Sequence, residues 1–211
     1  MPDQLVHAHP AASAAWLRDA RTTRALSVAT LVWLAAESSL GLLAGFSAHS
    51  VALIGWGLSA LVEAGASLVV LWRFSGSRTL SHIAEERAQK AVAVSFWLLA
   101  PYLVVHVLHD LDAGHRAVPS LLGIVVTSLS LVGMPVLALA KRRLARRLGS
   151  GATAGEAAQN LICAAMAGGV LAGLGLGALG WWWADPLIAL GLAGLAVREG
   201  VRAWQGHVCG H

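Results

Sequence analysis

Apolar side chains in this 211-residue chain do not alternate with polar ones on a short period. They run together in six long blocks, at about 25–46, 51–72, 91–109, 119–140, 157–180 and 184–205. Each block reaches the roughly 20 residues an α-helix needs to cross the hydrocarbon core of a bilayer. A helix is also the open-chain form that satisfies its own backbone there. The pattern therefore predicts an all-α membrane protein, a six-transmembrane-helix bundle over residues 25–206 with both termini on one side. Residues 1–24 are polar, Ala-rich and basic and read as a cytosolic N-terminal leader. Residues 207–211 read as a short C-terminal tail with no cytosolic domain.

Charge orients this bundle. With the N-terminus inside, fourteen of the 15 Lys and Arg fall on the cytosolic side, in the leader, in Arg73–Lys90, in Lys141–Arg147 and at Arg198 and Arg202. Arg116 alone falls outside, a one-sided count that the positive-inside rule reads as cytosolic termini. Charged residues make up 12% of the chain and apolar ones 57%, against about 25% and 45–50% in soluble domains, so a soluble single-core fold is excluded. The net charge of +4 is accounted for by the connecting segments, and nucleic acid is not an expected partner. Cys163 lies inside an apolar block and Cys209 in the tail, which offers no disulfide framework. The expected location is the plasma membrane, as a multi-pass protein in contact with lipid.

Function in such a chain is sought in the polar side chains retained at depth, where an ionisable group costs several kcal/mol unless it finds a partner or water. The first span holds Glu37, the second Ser59 and Glu63, the third Tyr102 and His106, and the fifth Gln159, Asn160 and Cys163. Ser59 and Glu63 are four residues apart, as are Gln159 and Cys163, so each pair shares one helix face. Counted from the cytosolic helix ends at about 1.5 Å per residue, the two pairs lie at depths that agree within about a turn. A carboxylate, a thiolate and two weaker oxygen donors from two facing helices would suit a tetrahedral ion site.

The segment from Ser50 to Ser67, containing Ser59 and Glu63, resembles helix 2 of the cation diffusion facilitator family. Glu156-Ala-Ala-Gln159-Asn-Leu-Ile-Cys163 stands where that family carries a His-x-x-x-Asp metal pair, and Gly180-Trp-Trp-Trp-Ala-Asp185-Pro186 resembles its outer turn into helix 6. The chain thus resembles a divergent member limited to the transmembrane domain. The departures are specific: Ser59 replaces the first acid, Glu63 is the longer acid, Gln159 and Cys163 replace His and Asp, and Lys141–Arg147 replaces a His-rich loop.

The resemblance implies divalent-cation efflux by proton-coupled alternating access, with Ser59, Glu63, Gln159 and Cys163 as metal ligands. The mixed S/O donor set favours Zn²⁺ or Co²⁺ over Mg²⁺ or Ca²⁺. The metal is then transported rather than bound as a permanent cofactor. Protons are expected co-substrates, and a homodimer follows the family pattern. The alternative is a non-transporting metal-binding or scaffold membrane protein of the same fold. Glu37 and His106 are candidates for proton coupling or secondary polar contacts. His109, His115, His207, Cys209 and His211 are candidates for weak metal capture in loops and tails. An enzyme is not expected, since the chain has no HExxH, GxSxG or P-loop motif.

Overall fold

The structure, a computed structural model, describes residues 13–47, 51–112, 121–178 and 184–205. Among these residues it is all-helical, with α1 (Ala14–Ser47), α2 (Val51–Arg73), α3 (His82–Asp112), α4 (Leu121–Leu148), α5 (Gly151–Ala178) and α6 (Ala184–Trp204). Short 3-10 turns at Gly76–Leu80 join α2 to α3. Among the described residues, stretches of three helices, Ala14–Leu43, His82–His109 and Ile124–Leu148, are long and apolar enough to cross a membrane.

Several helices extend beyond the apolar blocks. α1 starts eleven residues before the block at 25, α3 starts at His82 rather than 91, α4 runs on to Leu148 and α5 starts at Gly151. The extensions are rich in Ala, Arg, Glu and Gln, good helix formers that need no apolar surroundings. Hydrophobicity marks the part of a helix suited to lipid, whereas caps mark its ends. Ser13 Oγ accepts from the Trp16 N–H at 3.1 Å, and Ser81 Oγ accepts from the Ala84 N–H at 3.2 Å. The α4–α5 link is equally local. Gly149 takes φ 63°, the Ser150 N–H reaches back to the Ala145 carbonyl at 3.0 Å, and Ser150 Oγ then accepts from the Thr153 N–H at 3.1 Å. A glycine-closed helix end thus passes directly into a serine-capped start. Pro101 and Pro135 both lie inside continuous helices.

α1 packs along α2 and α4 along α5, while α1 meets α4 and α2 meets α5, closing a four-helix ring. α3 and α6 pair with each other and lie against α2 and α5. Inside the ring, Leu34, Ala60, Ala64, Met134, Cys163 and Ala164 form one buried cluster. Phe96, Leu99, Ile162 and Ala196 belong to a second, between the ring and the α3–α6 pair. Gly155 and Gly200 are among the glycines that let these layers approach. A Cβ on Gly155 would meet Val92 Cγ1 at 2.5 Å, and one on Gly200 would meet Trp97 Nε1 at 2.5 Å.

The radial distribution of side chains is inverted relative to a soluble bundle. Val32, Leu43, Val105, Val132 and Val136 are each more than 60% exposed, while Ser27, Thr30, Glu37, Ser59, Glu63, Lys141, Glu156 and Gln159 are buried. In water such an exterior would be an interaction or aggregation surface; against lipid it is the expected outer face.

At one end of the molecule a polar knot ties three helix termini. Arg73, on the last turn of α2, donates through Nε to Glu85 Oε2 at 2.7 Å. Glu85, on the first turn of α3, accepts at Oε1 from Ser150 Oγ and from the Ala152 N–H, each at 3.0 Å. One carboxylate thereby pairs with a cation and satisfies a free N–H at the start of α5.

Candidate ion site

α2 places Ser59 and Glu63 one turn apart, and α5 places Glu156, Gln159 and Cys163 along its inward face. All five are buried, none more than 6% exposed. Glu63 and Cys163 come together across the α2–α5 contact, with the thiol in hydrogen-bond contact with the carboxyl group. Glu37, on α1, is close enough to act electrostatically on both. Cys163 is a free thiol set among Leu34, Ala60, Ala64 and Met134.

The other members of the expected quartet have their own surroundings. Gln159 donates through Nε2 to Ser95 Oγ on α3 at 2.9 Å, and the Ser95 hydroxyl in turn donates a hydrogen bond to the Val92 carbonyl at 2.7 Å. Gln159 is thus tied toward the α3 side, and its buried Oε1 has no hydrogen-bond partner. Ser59 is buried on the same face of α2 as Glu63. Among the described residues, no group of three or more His, Cys, Asp or Glu has the arrangement to hold a metal ion. The two strong donors brought into contact are therefore Glu63 and Cys163.

Glu37 is held by α4. Ser130 Oγ donates to Glu37 Oε1 at 3.1 Å and accepts from the Trp33 indole N–H at 3.1 Å. The second carboxyl oxygen, Oε2, is buried with no hydrogen-bond partner. His106 lies on α3, stacked on Tyr102 with ring centroids 6.0 Å apart and planes 9° from parallel. His109 is exposed near the end of the same helix. His115, His207, Cys209 and His211 lie outside the described residues.

A second buried polar cluster has no counterpart in the sequence reading. Lys141, taken there as one of a run of loop charges, is wholly buried, whereas Arg142, Arg143, Arg146 and Arg147 are exposed. Its ammonium donates to Glu156 Oε1 at 2.8 Å and to Thr30 Oγ1 at 2.6 Å. Ser27 Oγ donates to Glu156 Oε2 at 2.8 Å. The signal was present in the helical period: Thr127, Ser130, Met134, Ala138, Lys141, Ala145 and Leu148 recur every three or four residues, and all are buried. Lys141 continues the inward stripe of α4, whereas its arginine neighbours lie off it.

No curated protein matches the chain. The family profile described as the cation efflux transmembrane domain matches residues 27–204. That interval takes in the four-helix ring, the α3–α6 pair and the Glu63–Cys163 contact, and the chain belongs to the cation efflux family of metal-cation transporters.

Proposed function

We propose that the protein exports a divalent heavy-metal cation, Zn²⁺ or Co²⁺, by alternating access, with Glu63 and Cys163 as the principal ligands. The observation that carries this reading is the buried contact between their side chains inside the matched transporter domain. A carboxylate and a thiolate form a mixed hard and soft donor pair, which suits borderline metals better than Mg²⁺ or Ca²⁺. Ser59 and water complete the shell, and Gln159 joins it on releasing Ser95. Metal ligands bind deprotonated, so cation entry releases the Cys163 proton and provides a chemical origin for proton exchange. Glu37, with its unpartnered Oε2, is the nearby carboxyl group proposed to accept that proton.

All six helices are assigned as membrane crossings, with both termini cytosolic and the Arg73–Glu85–Ser150 knot at the cytosolic end. The one-sided placement of the arginines supports this orientation, and the apolar exterior supports the crossings. A homodimer in the plasma membrane remains the family-based expectation. The second reading is a metal-binding membrane protein that does not transport. It is favoured by one observation, that the described residues gather no three strong ligands.

The test is metal flux into proteoliposomes containing the purified protein. Glu63→Ala and Cys163→Ala should each lower Zn²⁺ or Co²⁺ flux about tenfold or more, corresponding to at least 1.4 kcal/mol. Flux equal to wild type in both variants, at equal incorporation, would remove the proposed site. Metal binding by the wild type without flux would select the second reading. Ser59→Asp adds a carboxylate and should tighten binding; unchanged affinity would take residue 59 out of the shell.

A further inference from the structure

The cluster around Lys141 is not used by the Glu63–Cys163 site, yet it already sets two oxygens, Thr30 Oγ1 and Glu156 Oε1, on a positive charge. The Thr30 hydroxyl donates its hydrogen bond to the Leu26 carbonyl at 3.0 Å, which leaves its lone pairs for the ammonium at 2.6 Å. Glu156 offers Oε1 to the same ammonium at 2.8 Å, while Ser27 fixes the other carboxylate oxygen. Lys141 and Glu156 side chains are 0% and 1% exposed. Such a pair is a poor fastening on energetic grounds, because apolar residues of similar volume would commonly hold the helices equally well or better. Its charge therefore calls for another explanation.

Position along the bundle suggests one. Glu156 is seven residues from Cys163 on α5, and Thr30 is seven from Glu37 on α1. Each separation is two helical turns, about 10 Å along the axis, and all four residues are buried. The oxygen cluster thus lies inside the four-helix ring, in line with the Glu63–Cys163 contact. A metal ion moving between that contact and the end marked by Arg73 and Glu85 would pass beside it.

We propose that Ser27, Thr30 and Glu156 form a second cation-binding position, suited to a hard divalent cation, and that Lys141 is a tethered cation occupying it in this structure. Carboxylate and hydroxyl oxygens favour hard cations, with water filling the remaining coordination places. The lysine ammonium is a compact charge on a flexible stem and can leave by side-chain rotation. Its place on a transport route rests on the reading given above, whereas the oxygen position itself does not.

The chain contains two lysines, exposed Lys90 and buried Lys141, so amine acetylation followed by mass spectrometry resolves them. The full-length protein carrying Glu63→Gln and Cys163→Ala removes the other proposed site. In that background, Mn²⁺ should raise acetylation of Lys141 about tenfold while Lys90 stays constant, the change expected when 1.4 kcal/mol of competition displaces the ammonium. Adding Lys141→Met should create a site that binds Mn²⁺ about tenfold more tightly than the parent, and further adding Glu156→Gln should remove it. The acetylation experiment leaves Lys141 in place, so it decides the matter even where the Met variant does not fold. Lys141 acetylation indifferent to Mn²⁺, or a site in the Met variant that survives Glu156→Gln, would overturn the proposal. Both experiments stand apart from flux, so normal transport by Glu63→Ala and Cys163→Ala would sink the first site without touching this one.

Discussion

Thiolate sulfur and carboxylate oxygen differ in hardness, and at Cys163 and Glu63 that difference sets which cations the pair can distinguish. Cys163→Ser keeps a small side chain able to hydrogen-bond Glu63 while replacing the soft donor with a hard one. We expect Zn²⁺ and Cd²⁺ affinity to fall about tenfold or more, equivalent to at least 1.4 kcal/mol, with Mn²⁺ affinity unchanged or higher. Competition binding on the purified variant checks this; an unaltered Zn²⁺ to Mn²⁺ ratio would show that the sulfur is not a ligand. Individual residues were legible to different degrees. The four-residue spacings of Ser59 with Glu63 and Gln159 with Cys163 correctly identified shared, buried faces. They could not show that the Gln159 amide is bonded to Ser95, 64 residues away in the chain. Periodicity fixes a face; the rotamer on that face depends on what the neighbouring helix presents.

Helices were easiest to recognise in their apolar middles, and their ends depended on polar chemistry that hydropathy does not weigh. Glu85 illustrates this. It stands in a charged stretch before the third apolar block, yet in the folded chain it joins Arg73, Ser150 and the start of α5. Its side chain is 14% exposed and that of Arg73 7%, so water compensates little when the carboxylate is lost. Glu85→Ala should therefore lower stability by about 1–3 kcal/mol, the cost of leaving such partners unsatisfied. Thermal unfolding in detergent provides the measurement. Glu85→Gln should recover part of the loss, since its amide oxygen still accepts from Ser150 and Ala152. Loss below about 0.5 kcal/mol for the Ala variant, the usual range for surface changes, would mean that the knot does not hold these helix ends. Lys141 was misread for the opposite reason: a run of basic residues suggested a solvated connection, while the three-to-four-residue stripe of α4 placed one member of that run inside.

At the scale of the whole molecule, apolar blocks, basic connections and buried polar groups constrain one another. An exterior of exposed Val and Leu needs lipid; buried Glu and Lys then need partners within the bundle; and the remaining arginines need an aqueous face. The six crossings proposed above would reconcile these demands by bringing the α2–α3 and α4–α5 connections to the same side as the N-terminus. The structure supplies a physical tie between those two connections, because Glu85 bonds both Arg73 and Ser150. Topology can then be tested with a membrane-impermeant thiol reagent. In a background carrying Cys163→Ser and Cys209→Ser, Ser77→Cys and Arg146→Cys should be labelled from the cytosolic side and protected from the external side. Arg116→Cys should show the reverse pattern. Ser77 and Arg146 are exposed positions, so protection there reports the membrane rather than packing. Labelling of Ser77→Cys and Arg146→Cys from opposite sides would contradict the polar tie as well as the six-crossing assignment. Matching labelling of both from outside would preserve the bundle and reverse its orientation, putting the second cation position on the external side of the Glu63–Cys163 contact.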